Sequence, residues 1–389
     1  MKQLLQLVVN KNIKGCMVAN QVYHPAWIEI DIKQFKTNIS IIRRHIGKCL
    51  LCLPIKANAY GHGLCGIGKA AEEAGVDYLA VAHLKEGVAL REAGISIPIL
   101  VLGAIHQDQI EDLLAFNLEF TISSQFKAEL VYEKCKSLKH PCRVHLEVDT
   151  GMQRTGVRSK TALSLLEYLL ARSCFQVVGV YSHFATADRP EDLFACEQID
   201  RFNQLVSEPL FQKIPVLRHL ANSGGVAYFP SSYFDMVRPA CMAFGFLSNN
   251  LPENLAQITP CFSLKARVSY FKVVDEGVGI SYGHHYKTKT RTRIVTVPVG
   301  YGDGYRRILS NRAEVLIRGL RFPIVGMICM DQFMVDVGDK EVYVGDEVVL
   351  IGQQGDQTIS INDIASLYDT TFYEVLCGFN DRLPRIYVY

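Results

Sequence analysis

The feature of this sequence that most constrains its fold is a regular alternation of apolar segments and helical patterns between residues 49 and 240. Eight apolar or strand-like segments occur there: CLLCLPIKA (49–57), YLAVAH (78–83), PILVLG (98–103), EFTIS (119–123), RVHLEVD (143–149), VVGVYSH (177–183), LRHLAN (217–222) and MVRPA (236–240). Most of the intervening segments carry a helical pattern. Buried strands separated by helices indicate parallel pairing through crossovers. Eight such units over about 200 residues predict a (β/α)8 barrel.

An open, doubly wound sheet is the structural alternative to the barrel. It has less support, because the chain has no glycine-rich dinucleotide-binding fingerprint. After about residue 258 the pattern changes to short, alternating segments separated by glycine turns, such as TRIVTVPVGY and EVVLIG. These segments predict a mainly antiparallel β domain with one helix at 361–379, beginning near Ser360 or Asn362.

The predicted organisation has three parts: an N-terminal extension (1–24), a barrel domain (25–258) and a C-terminal β domain (259–389). The early strand AWIEIDI (26–32) could begin the barrel or join the β domain. We favour the β domain, because eight barrel strands are already present without this segment. A chain of 389 residues is too long for one ordinary hydrophobic core, which agrees with two domains.

Charge and hydropathy exclude several classes of partner. The formal net charge of +2 does not indicate binding to nucleic acid or to an anionic membrane surface. No apolar run approaches the ~20 residues that span a bilayer, and Gln3 and Gln6 interrupt the N-terminal apolar run, unlike an export signal. Most of the twelve cysteines lie in apolar patterns, which is typical of reduced thiols. We therefore expect a cytoplasmic protein.

The chemistry of such a barrel is expected at the C-terminal ends of its strands. The residues found there are Lys56 and Tyr60 after the first strand, Arg154 after the fifth, His183 at the end of the sixth, Ser223 after the seventh and Arg238 at the end of the eighth. Each alone has a simpler explanation, such as a strand-end lysine with an exposed amine or a histidine satisfied in the core. Their convergence at one rim predicts a site for an anionic aldehyde, namely pyridoxal phosphate.

The rim residues have distinct roles in this interpretation. A dehydrated Lys56 amine has a lowered pKa and can attack the aldehyde carbon. Ser223 and the amides around Gly224 and Gly225 can hold the phosphate group, and the Tyr60 hydroxyl can add a hydrogen bond.

Arg238 can reach the pyridine nitrogen of this cofactor. Because an arginine cannot accept a proton, that nitrogen would stay unprotonated and the ring would be a weaker electron sink. A weak sink favours rapid return of a removed proton over transamination. A metal site is not expected: the adjacent histidines His284 and His285 diverge in an extended segment, and no cluster of carboxylates or cysteines accompanies them.

The chain resembles the alanine racemases, pyridoxal-phosphate enzymes of fold type III, over nearly its whole length from about residue 25. The segment PIKANAYGHG (54–63) is similar to the family's cofactor-lysine motif. Further segments similar to family motifs follow in the family's order: EVDTGMQRTGV (147–157), GVYSHFATAD (179–188), HLANSGG (219–225), MVRPA (236–240), ISYGHHY (280–286), VGYGDGY (299–305) and GMICMDQ (326–332). Many ordered matches make the resemblance more specific than any single motif.

The resemblance implies a second catalytic residue, Tyr282, which in the family comes from the partner subunit of a head-to-tail homodimer. Lys56 would serve the D-substrate and Tyr282 the L-substrate, because racemisation removes a proton from one face and returns it to the other. The family's hydrogen-bonded relay would run from Tyr282 to His183 to Arg238.

The resemblance also assigns residues around the substrate. Arg154 would orient the phenolic oxygen of the cofactor or the substrate carboxylate. Met330 and Asp331 would line the substrate side from the partner subunit, with Tyr301 at the entrance. The implied reaction is the interconversion of L- and D-alanine, with D-alanine used for cell-wall peptidoglycan.

Three positions depart from the commonest family pattern. Glu147 stands where many relatives have a lysine whose carbamate holds the arginine matched by Arg154, so we predict a direct Glu147–Arg154 pair. Asp381 stands where some relatives carry a tyrosine that contacts the phosphate, which puts that contact in doubt. Ala240–Cys241 replaces a common Gly–Ile pair and should shift the amide donors to the phosphate only slightly.

Several other functions share parts of this pattern. A broad-specificity or serine racemase would use the same chemistry with a different pocket size. A non-catalytic pyridoxal-phosphate carrier would resemble the barrel half alone, and the β domain with Tyr282 argues against it. A decarboxylase of the same fold type would be expected to lack the ISYGHHY tyrosine context and to use a cysteine on the second face.

Overall fold

The computed structural model describes residues 24–247 and 251–389. The predicted N-terminal extension (1–24) lies outside the described residues, except for His24. The chain divides into two compact units. One is Asp31–Cys261, and the other combines residues 24–30 with Phe262–Tyr389.

The first unit is built on a sheet of parallel strands. Within the described residues, its eight successive barrel strands are Leu50–Pro54, Tyr78–Val81, Ile99–Val101, Glu119–Ile122, Cys142–Asp149, Phe175–Tyr181, Leu217–His219 and Met236–Val237. A ninth, short strand, Val157–Arg158, pairs with Cys142–Asp149. Each strand pairs with the next from the first to the seventh, and the eighth pairs with the first. The seventh and eighth strands are linked by hydrogen bonds from Asp235 N to Arg218 O (3.0 Å) and from Arg238 N to Ala221 O (2.8 Å). The predicted (β/α)8 barrel is therefore confirmed as a nearly closed barrel.

Helices form most of the connections between the strands. In the first unit they are Ile32–Ile46, Leu64–Glu73, Leu84–Glu92, Ile110–Ala115, Gln125–Leu138, Ser159–Leu170, Phe194–Val206, Pro209–Gln212 and Ser223–Tyr228. Polar caps set some of their starts: Gln34 N donates to Asp31 Oδ1 at 2.7 Å, and Lys127 N donates to Ser124 Oγ at 3.2 Å. None of the helices in residues 24–247 and 251–389 has the length and apolar character of a membrane span.

The strands are buried on both faces, which explains why they appear in the sequence as nearly continuous apolar runs. One core cluster joins side chains from the first, second, third and eighth strands: Cys52, Tyr78, Ala80, Leu100 and Met236. Five buried residues of the barrel strands depart from this apolar pattern: Glu119, Thr121, His145, Glu147 and His219. Glu119 is 3% exposed, and His145 and His219 are fully buried.

The second unit contains a mainly antiparallel sheet, as predicted. In sheet order, the strands of its described residues are Tyr270–Val274, Thr292–Val297, Phe333–Asp336, Leu320–Val325, Glu314–Ile317, Glu347–Gln354, Phe262–Arg267, Ala26–Asp31 and Arg385–Val388, with Gln357–Ile359 paired to Glu347–Gln354. A separate ribbon joins Gly279–Ile280 to Tyr286–Lys287. The early strand Ala26–Asp31 pairs antiparallel with Phe262–Arg267, so it belongs to this sheet and not to the barrel.

The C-terminal helical segment differs from the prediction of a single helix over 361–379. Two helices occur there, Ile361–Tyr368 and Phe372–Gly378. Asp369 ends the first helix because its φ of 56° lies in the left-handed region. Ser360 begins that helix, with Asp363 N donating to Ser360 Oγ at 3.1 Å and Ser360 N donating to Asp363 Oδ2 at 2.8 Å.

Candidate active site

Lys56 follows the first barrel strand and begins an unusual turn. Ile55 N donates to Ala80 O at 2.8 Å, which ties the end of the first strand to the second. The four residues from Ala57 to Tyr60 then have φ values between 51° and 55°. This left-handed conformation costs roughly 1–2 kcal/mol for each residue with a side chain. The turn therefore holds backbone strain directly beside the lysine.

The Glu86 carboxylate holds this turn against the end of the second strand. Its Oε1 atom accepts a hydrogen bond from Ala57 N at 2.6 Å. Its Oε2 atom accepts from Ala82 N at 2.8 Å and from His83 N at 3.1 Å. One carboxylate thus connects the residue after Lys56 to the neighbouring strand, and it satisfies three backbone amides. The sequence patterns did not single out Glu86.

The rim residues of four barrel strands act on one another electrostatically. His183, at the end of the sixth strand, is partly buried. Burial and the positive charges of Arg238, Arg154 and Lys56 lower the pKa of His183 to about 3. The imidazole is therefore neutral near pH 7. The structure brings these four predicted residues together at the C-terminal ends of the strands.

Arg238 is 3% exposed and is held by several acceptors. Its Nη1 atom donates to His219 Nδ1 at 2.8 Å. Its Nη2 atom donates to Ser182 O at 2.7 Å and to Leu220 O at 3.3 Å. Among the described residues, none of its hydrogen bonds goes to His183, so the implied step from His183 to Arg238 is not formed. The histidine partner of Arg238 is His219, which the sequence patterns missed.

Glu147 is buried in the fifth strand, but its partner differs from the prediction. Its Oε1 atom accepts from Thr155 Oγ1 at 2.7 Å, and no ion pair joins it to Arg154 in the described part of the chain. Burial raises the pKa of Glu147, although Thr155 and the charges of Arg154 and Arg238 oppose the shift. The predicted direct Glu147–Arg154 pair is therefore wrong. Both residues line a narrow cleft that also contains His183.

The turn after the seventh strand packs closely against neighbouring backbone. Ser223 is 7% exposed, and its Oγ atom accepts from Ala240 N at 3.0 Å, which joins the ends of the seventh and eighth strands. Gly224 has no room for a side chain, since an added Cβ would lie 2.2 Å from a backbone oxygen. Gly225 N donates to Asn222 Oδ1 at 2.9 Å, so this amide, one of the predicted phosphate donors, is already engaged.

Tyr282 lies on a tight loop of the second unit and is 73% exposed. The loop is shaped by positive φ values of 64° at Ser281 and 70° at Gly283. Ser281 Oγ donates to Met327 O at 2.6 Å, which fixes the loop against the segment that contains Met330. The phenol is therefore held on a defined backbone while its ring faces solvent in the single chain.

The other second-unit residues implied by the resemblance are exposed as well. Tyr301 and Met330 are 44% and 53% exposed. They are close along the backbone, because Gly302 N donates to Met330 O at 2.8 Å. Asp331 Oδ1 accepts from Arg382 Nη2 at 2.6 Å. The second unit thus presents a tyrosine, a methionine and a paired aspartate from two adjoining segments.

The two remaining positions that depart from the family pattern are Asp381 and the pair Ala240–Cys241. Asp381 is 94% exposed at its side chain and lies 3.6 Å from Arg385 Nη1. Ala240 donates its amide to Ser223, and Cys241 is fully buried. In the described ranges, no group of three His, Cys, Asp or Glu side chains is arranged to hold a metal ion.

The fold and the rim together define a class of protein. A (β/α)8 barrel with a lysine, two arginines and a neutral histidine at its strand ends, followed by an antiparallel β unit, is the architecture of a two-domain barrel enzyme. Family models give the same division. The model for "Alanine racemase, N-terminal domain" matches residues 30–248, and "Alanine racemase, C-terminal domain" matches residues 261–387.

Individual relatives agree with the family models. The chain is 41% identical to the alanine racemase of Halothermothrix orenii, covering 94% of this chain and 98% of the relative. It is 42% identical to that of Carboxydothermus hydrogenoformans, covering 94% and 100%. The solved alanine racemase of Clostridium difficile 630 superposes with a TM-score of 0.90 at 34% identity, covering 95% and 97%. The Bacillus anthracis enzyme, solved with bound L-Ala-P, gives 0.87 at 36% identity, covering 95% and 96%.

This chain belongs to the alanine racemase family, and it is an amino-acid racemase. Family membership implies a pyridoxal phosphate cofactor, and the residues present fit that group. Lys56 stands at the barrel rim for the aldehyde. Ser223 follows the seventh strand and brings a hydroxyl group to the same rim for the phosphate. Arg238 supplies a buried, donor-only group for a ring nitrogen.

Proposed function

We propose that this racemase interconverts L- and D-alanine with two bases on opposite faces, Lys56 for the D-substrate and Tyr282 for the L-substrate. The observation that carries the proposal is that the chain has both a lysine at the charged barrel rim and an exposed tyrosine on a tight loop of the second unit. One base exchanges a proton on one face only, so inversion at the α-carbon needs a second group on the other face.

The rim residues are assigned to parts of the cofactor. Lys56 would hold the aldehyde carbon, Ser223, Gly224 and Tyr60 the phosphate, and Arg238 the ring nitrogen. When bound, pyridoxal phosphate supplies an electron sink for the negative charge at the α-carbon. Because the Arg238 guanidinium can only donate hydrogen bonds, the ring nitrogen beside it stays unprotonated. This favours return of the α-proton over transamination.

The electrostatics of the rim suit a phenol that must lose a proton. The charges of Arg238, Arg154 and Lys56 act on His183. The same positive charges would stabilise the anion of a phenol placed beside this histidine. Neutral His183 could accept a hydrogen bond from the Tyr282 hydroxyl. Arg154, in the same cleft, is assigned to the substrate carboxylate or the cofactor's phenolic oxygen.

We propose further that the enzyme is a homodimer in which the second unit completes the partner subunit's site. Tyr282, Tyr301 and Met330 are large side chains, and each is at least 44% exposed in the single chain. Burying such residues against a partner would remove apolar surface from water, which supports the assignment. With Asp331, they would form the substrate side and the entrance of the partner's site.

Incubation of the purified protein with pyridoxal phosphate and L-alanine in deuterium oxide tests the reaction. The expected product is α-deuterated alanine of both configurations. Deuteration with retention would show that only one base works and would overturn the two-base assignment. Parallel incubation with L-serine tests the broad-specificity alternative.

Two variants assign the bases. Tyr282→Phe should mainly impair proton removal from L-alanine, and Lys56→Ala should abolish the absorbance of the lysine-bound cofactor. A Tyr282→Phe protein that racemises at the wild-type rate would exclude the tyrosine as a base. Retained lysine-bound absorbance in Lys56→Ala would exclude Lys56 as the attachment site.

The cellular role is proposed on the family relationship: D-alanine made in the cytoplasm for cell-wall peptidoglycan. Expression in a bacterial strain that requires D-alanine tests it. Growth without added D-alanine is expected for the wild-type protein and not for Lys56→Ala. Failure of the wild-type protein to support growth, despite racemase activity in the lysate, would contradict this role.

A further inference from the structure

A buried chain of polar side chains runs through the barrel behind Arg238. Arg238 Nη1 donates to His219 Nδ1 at 2.8 Å. His219 Nε2 lies 3.0 Å from His145 Nδ1, and His145 Nε2 lies 2.8 Å from Glu119 Oε2. Both histidines are fully buried, and Glu119 and Arg238 are each 3% exposed. Glu119, His145 and His219 lie in the fourth, fifth and seventh strands, and Arg238 directly follows the eighth.

The donor-only chemistry of arginine sets the direction of every hydrogen bond in this chain. Because the guanidinium cannot accept, His219 Nδ1 must be the acceptor, and its proton must lie on Nε2. His219 therefore donates to His145 Nδ1. The proton of His145 then lies on Nε2 and is donated to Glu119. Both rings are neutral in this arrangement, and burial and the charge of Arg238 lower the pKa of His219 well below its usual value.

Glu119 ends the chain with a charge that is itself held in place. Its Oε1 atom accepts from Arg143 Nε at 2.7 Å and forms an ion pair with Arg143 Nη2 at 2.7 Å. Burial raises the pKa of Glu119, but the hydrogen bonds and charges of His145 and Arg143 outweigh burial and lower it. One oxygen therefore serves the arginine at the barrel surface, and the other serves the buried histidine.

Packing leaves the two rings little freedom to rotate. The Tyr181 ring stacks on His219 with centroids 5.0 Å apart and planes at 16°. The His145 ring lies against Gly179, where an added Cβ would be 2.4 Å from His145 Nδ1. Tyr78 meets His145 edge-on at 6.4 Å. Packing against neighbouring residues thus fixes the orientation of the two rings, and their hydrogen bonds fix which nitrogen carries the proton.

We propose that Glu119 is a positioning residue that acts on Arg238 through two buried histidines. By fixing both tautomers, it keeps an acceptor beside Arg238 Nη1 and so directs the remaining guanidinium donors toward the rim. The inference rests on the proposed function, in which those donors meet the cofactor's ring nitrogen. It extends that function to a carboxylate three hydrogen bonds behind the arginine.

The variant Glu119→Gln creates a conflict that an ordinary packing residue would not. If the amide oxygen faces His145, the NH2 group must face the donors of Arg143. If the NH2 group faces His145, both histidines must change tautomer, and His219 then presents N–H to Arg238. In either orientation of the amide, two hydrogen-bond donors face each other. In the second orientation these donors are His219 and Arg238, so the guanidinium would lose its fixed orientation.

The double variant Glu119→Gln/Arg143→Gln removes this conflict. The amide introduced at position 143 can accept from the NH2 group introduced at position 119. The amide oxygen at position 119 is then free to accept from His145, and the original tautomers return. Arg143→Gln alone is the matched control, because Glu119 Oε2 still accepts from His145. We expect kcat to fall about tenfold in the single Glu119→Gln variant and to recover to within about threefold in the double variant.

Imidazole nitrogen NMR of the loaded protein reads the tautomers directly and does not depend on activity. The wild-type protein should show His145 and His219 both protonated at Nε2. Either ring protonated at Nδ1 in the wild-type protein would overturn the proposal, whether or not any variant folds. Unchanged tautomers together with unchanged kcat in a folded Glu119→Gln protein would overturn it as well.

The same experiments separate this inference from the proposed function. If the wild-type protein shows the expected tautomers but does not racemise alanine, the proposed function fails while the buried chain stands. If the wild-type protein racemises alanine but the double variant is no more active than Glu119→Gln, the positioning role fails while the function stands.

Discussion

At the scale of single residues, Glu147 and His183 lie in one cleft, and burial moves their pKa values in opposite directions. Burial raises the pKa of the Glu147 carboxyl and, with nearby positive charges, lowers that of the His183 imidazole. Both shifts favour the uncharged form, as expected where charge is taken from water. Each therefore links the folding stability of the protein to pH.

Glu147→Gln removes a buried charge and keeps an oxygen for Thr155. The pKa of Glu147 in the folded protein is raised above 4.5. The free energy of unfolding of the wild-type protein therefore falls as the pH rises from 4.5 to this higher pKa. We expect the cofactor-free variant to be more stable than wild type at pH 7, as measured by urea unfolding. Glu147→Leu is the control and should be about 1–3 kcal/mol less stable than the Gln variant, since Thr155 then loses its acceptor. A Gln variant less stable than wild type would contradict this account.

His183 should have the opposite effect on the pH dependence of stability: its contribution is lost as the pH falls. Its pKa is lowered from 6.5 to about 3, so its contribution is present above pH 6.5 and is lost as pH falls toward 3. A proton NMR titration should find the ring neutral at pH 6.5, with its signal assigned by loss in His183→Gln. The Gln variant should also lose less stability on acidification than wild type. A ring that titrates near 6.5 would show that the charged rim does not act on it.

At the scale of elements, the turn after Lys56 depends on a carboxylate from Leu84–Glu92, the helix that follows the second strand. In Glu86→Ala, the amides of Ala57, Ala82 and His83 lose their shared acceptor. We expect unfolding free energy to fall by about 2–3 kcal/mol and pyridoxal phosphate to be retained less tightly on dialysis. Glu92→Ala, an exposed glutamate in the same helix, should change stability by less than about 0.5 kcal/mol. Equal stability and equal cofactor retention in the two variants would show that Glu86 does not hold the turn.

The handedness of that turn can be tested at Ala57, which has a φ of 53° and is exposed. A β-branched residue is strained in this region, so Ala57→Val should destabilise the protein by about 1–2 kcal/mol. Ala57→Gly should be neutral or slightly stabilising, because glycine adopts positive φ without steric cost. Thermal unfolding of the two variants measures the difference. Val and Gly variants of equal stability would mean that the turn is not left-handed in solution.

The elements show which parts of the structure a single sequence could reveal. All eight barrel strands were predictable, because strands buried on both faces leave continuous apolar runs. The left-handed turn was not, because Ala57 is held by Glu86, 29 residues further along the chain. The break at Asp369 was missed because the helical pattern continues on both sides of it. Strained or long-range features of this kind carry little periodic signal.

The sequence also revealed only part of the candidate site: the charged residues at the strand ends, but not the buried residues behind Arg238. Lysine, arginine and histidine at strand ends stood out because charged groups are rare beside buried strands. The chain behind Arg238 did not stand out, since Glu119, His145 and His219 each lie within an apolar segment. A polar residue inside a buried strand was the available signal, and it marks all three. Their mutual contacts follow only from the register of the barrel.

At the scale of the whole molecule, mixed dimers can test whether the site is shared between subunits. If the partner subunit supplies the tyrosine, a heterodimer of Lys56→Ala and Tyr282→Phe chains has one site with both native residues and one with neither. Co-expression with two different affinity tags isolates this species. We expect about half of the wild-type activity per dimer, while each parent homodimer is nearly inactive.

The opposite arrangement gives a clearly different result. If Lys56 and Tyr282 of the same chain formed one site, every site in the heterodimer would lack one base, and its activity would match the parent homodimers. A tagged heterodimer of two wild-type chains controls for losses during purification. The double variant Lys56→Ala/Tyr282→Phe paired with wild type controls for the reverse placement. It should have no native site if the site is shared, and one native site if each chain forms its own. Recovery in the first heterodimer but not in the second would therefore require that the tyrosine crosses the interface.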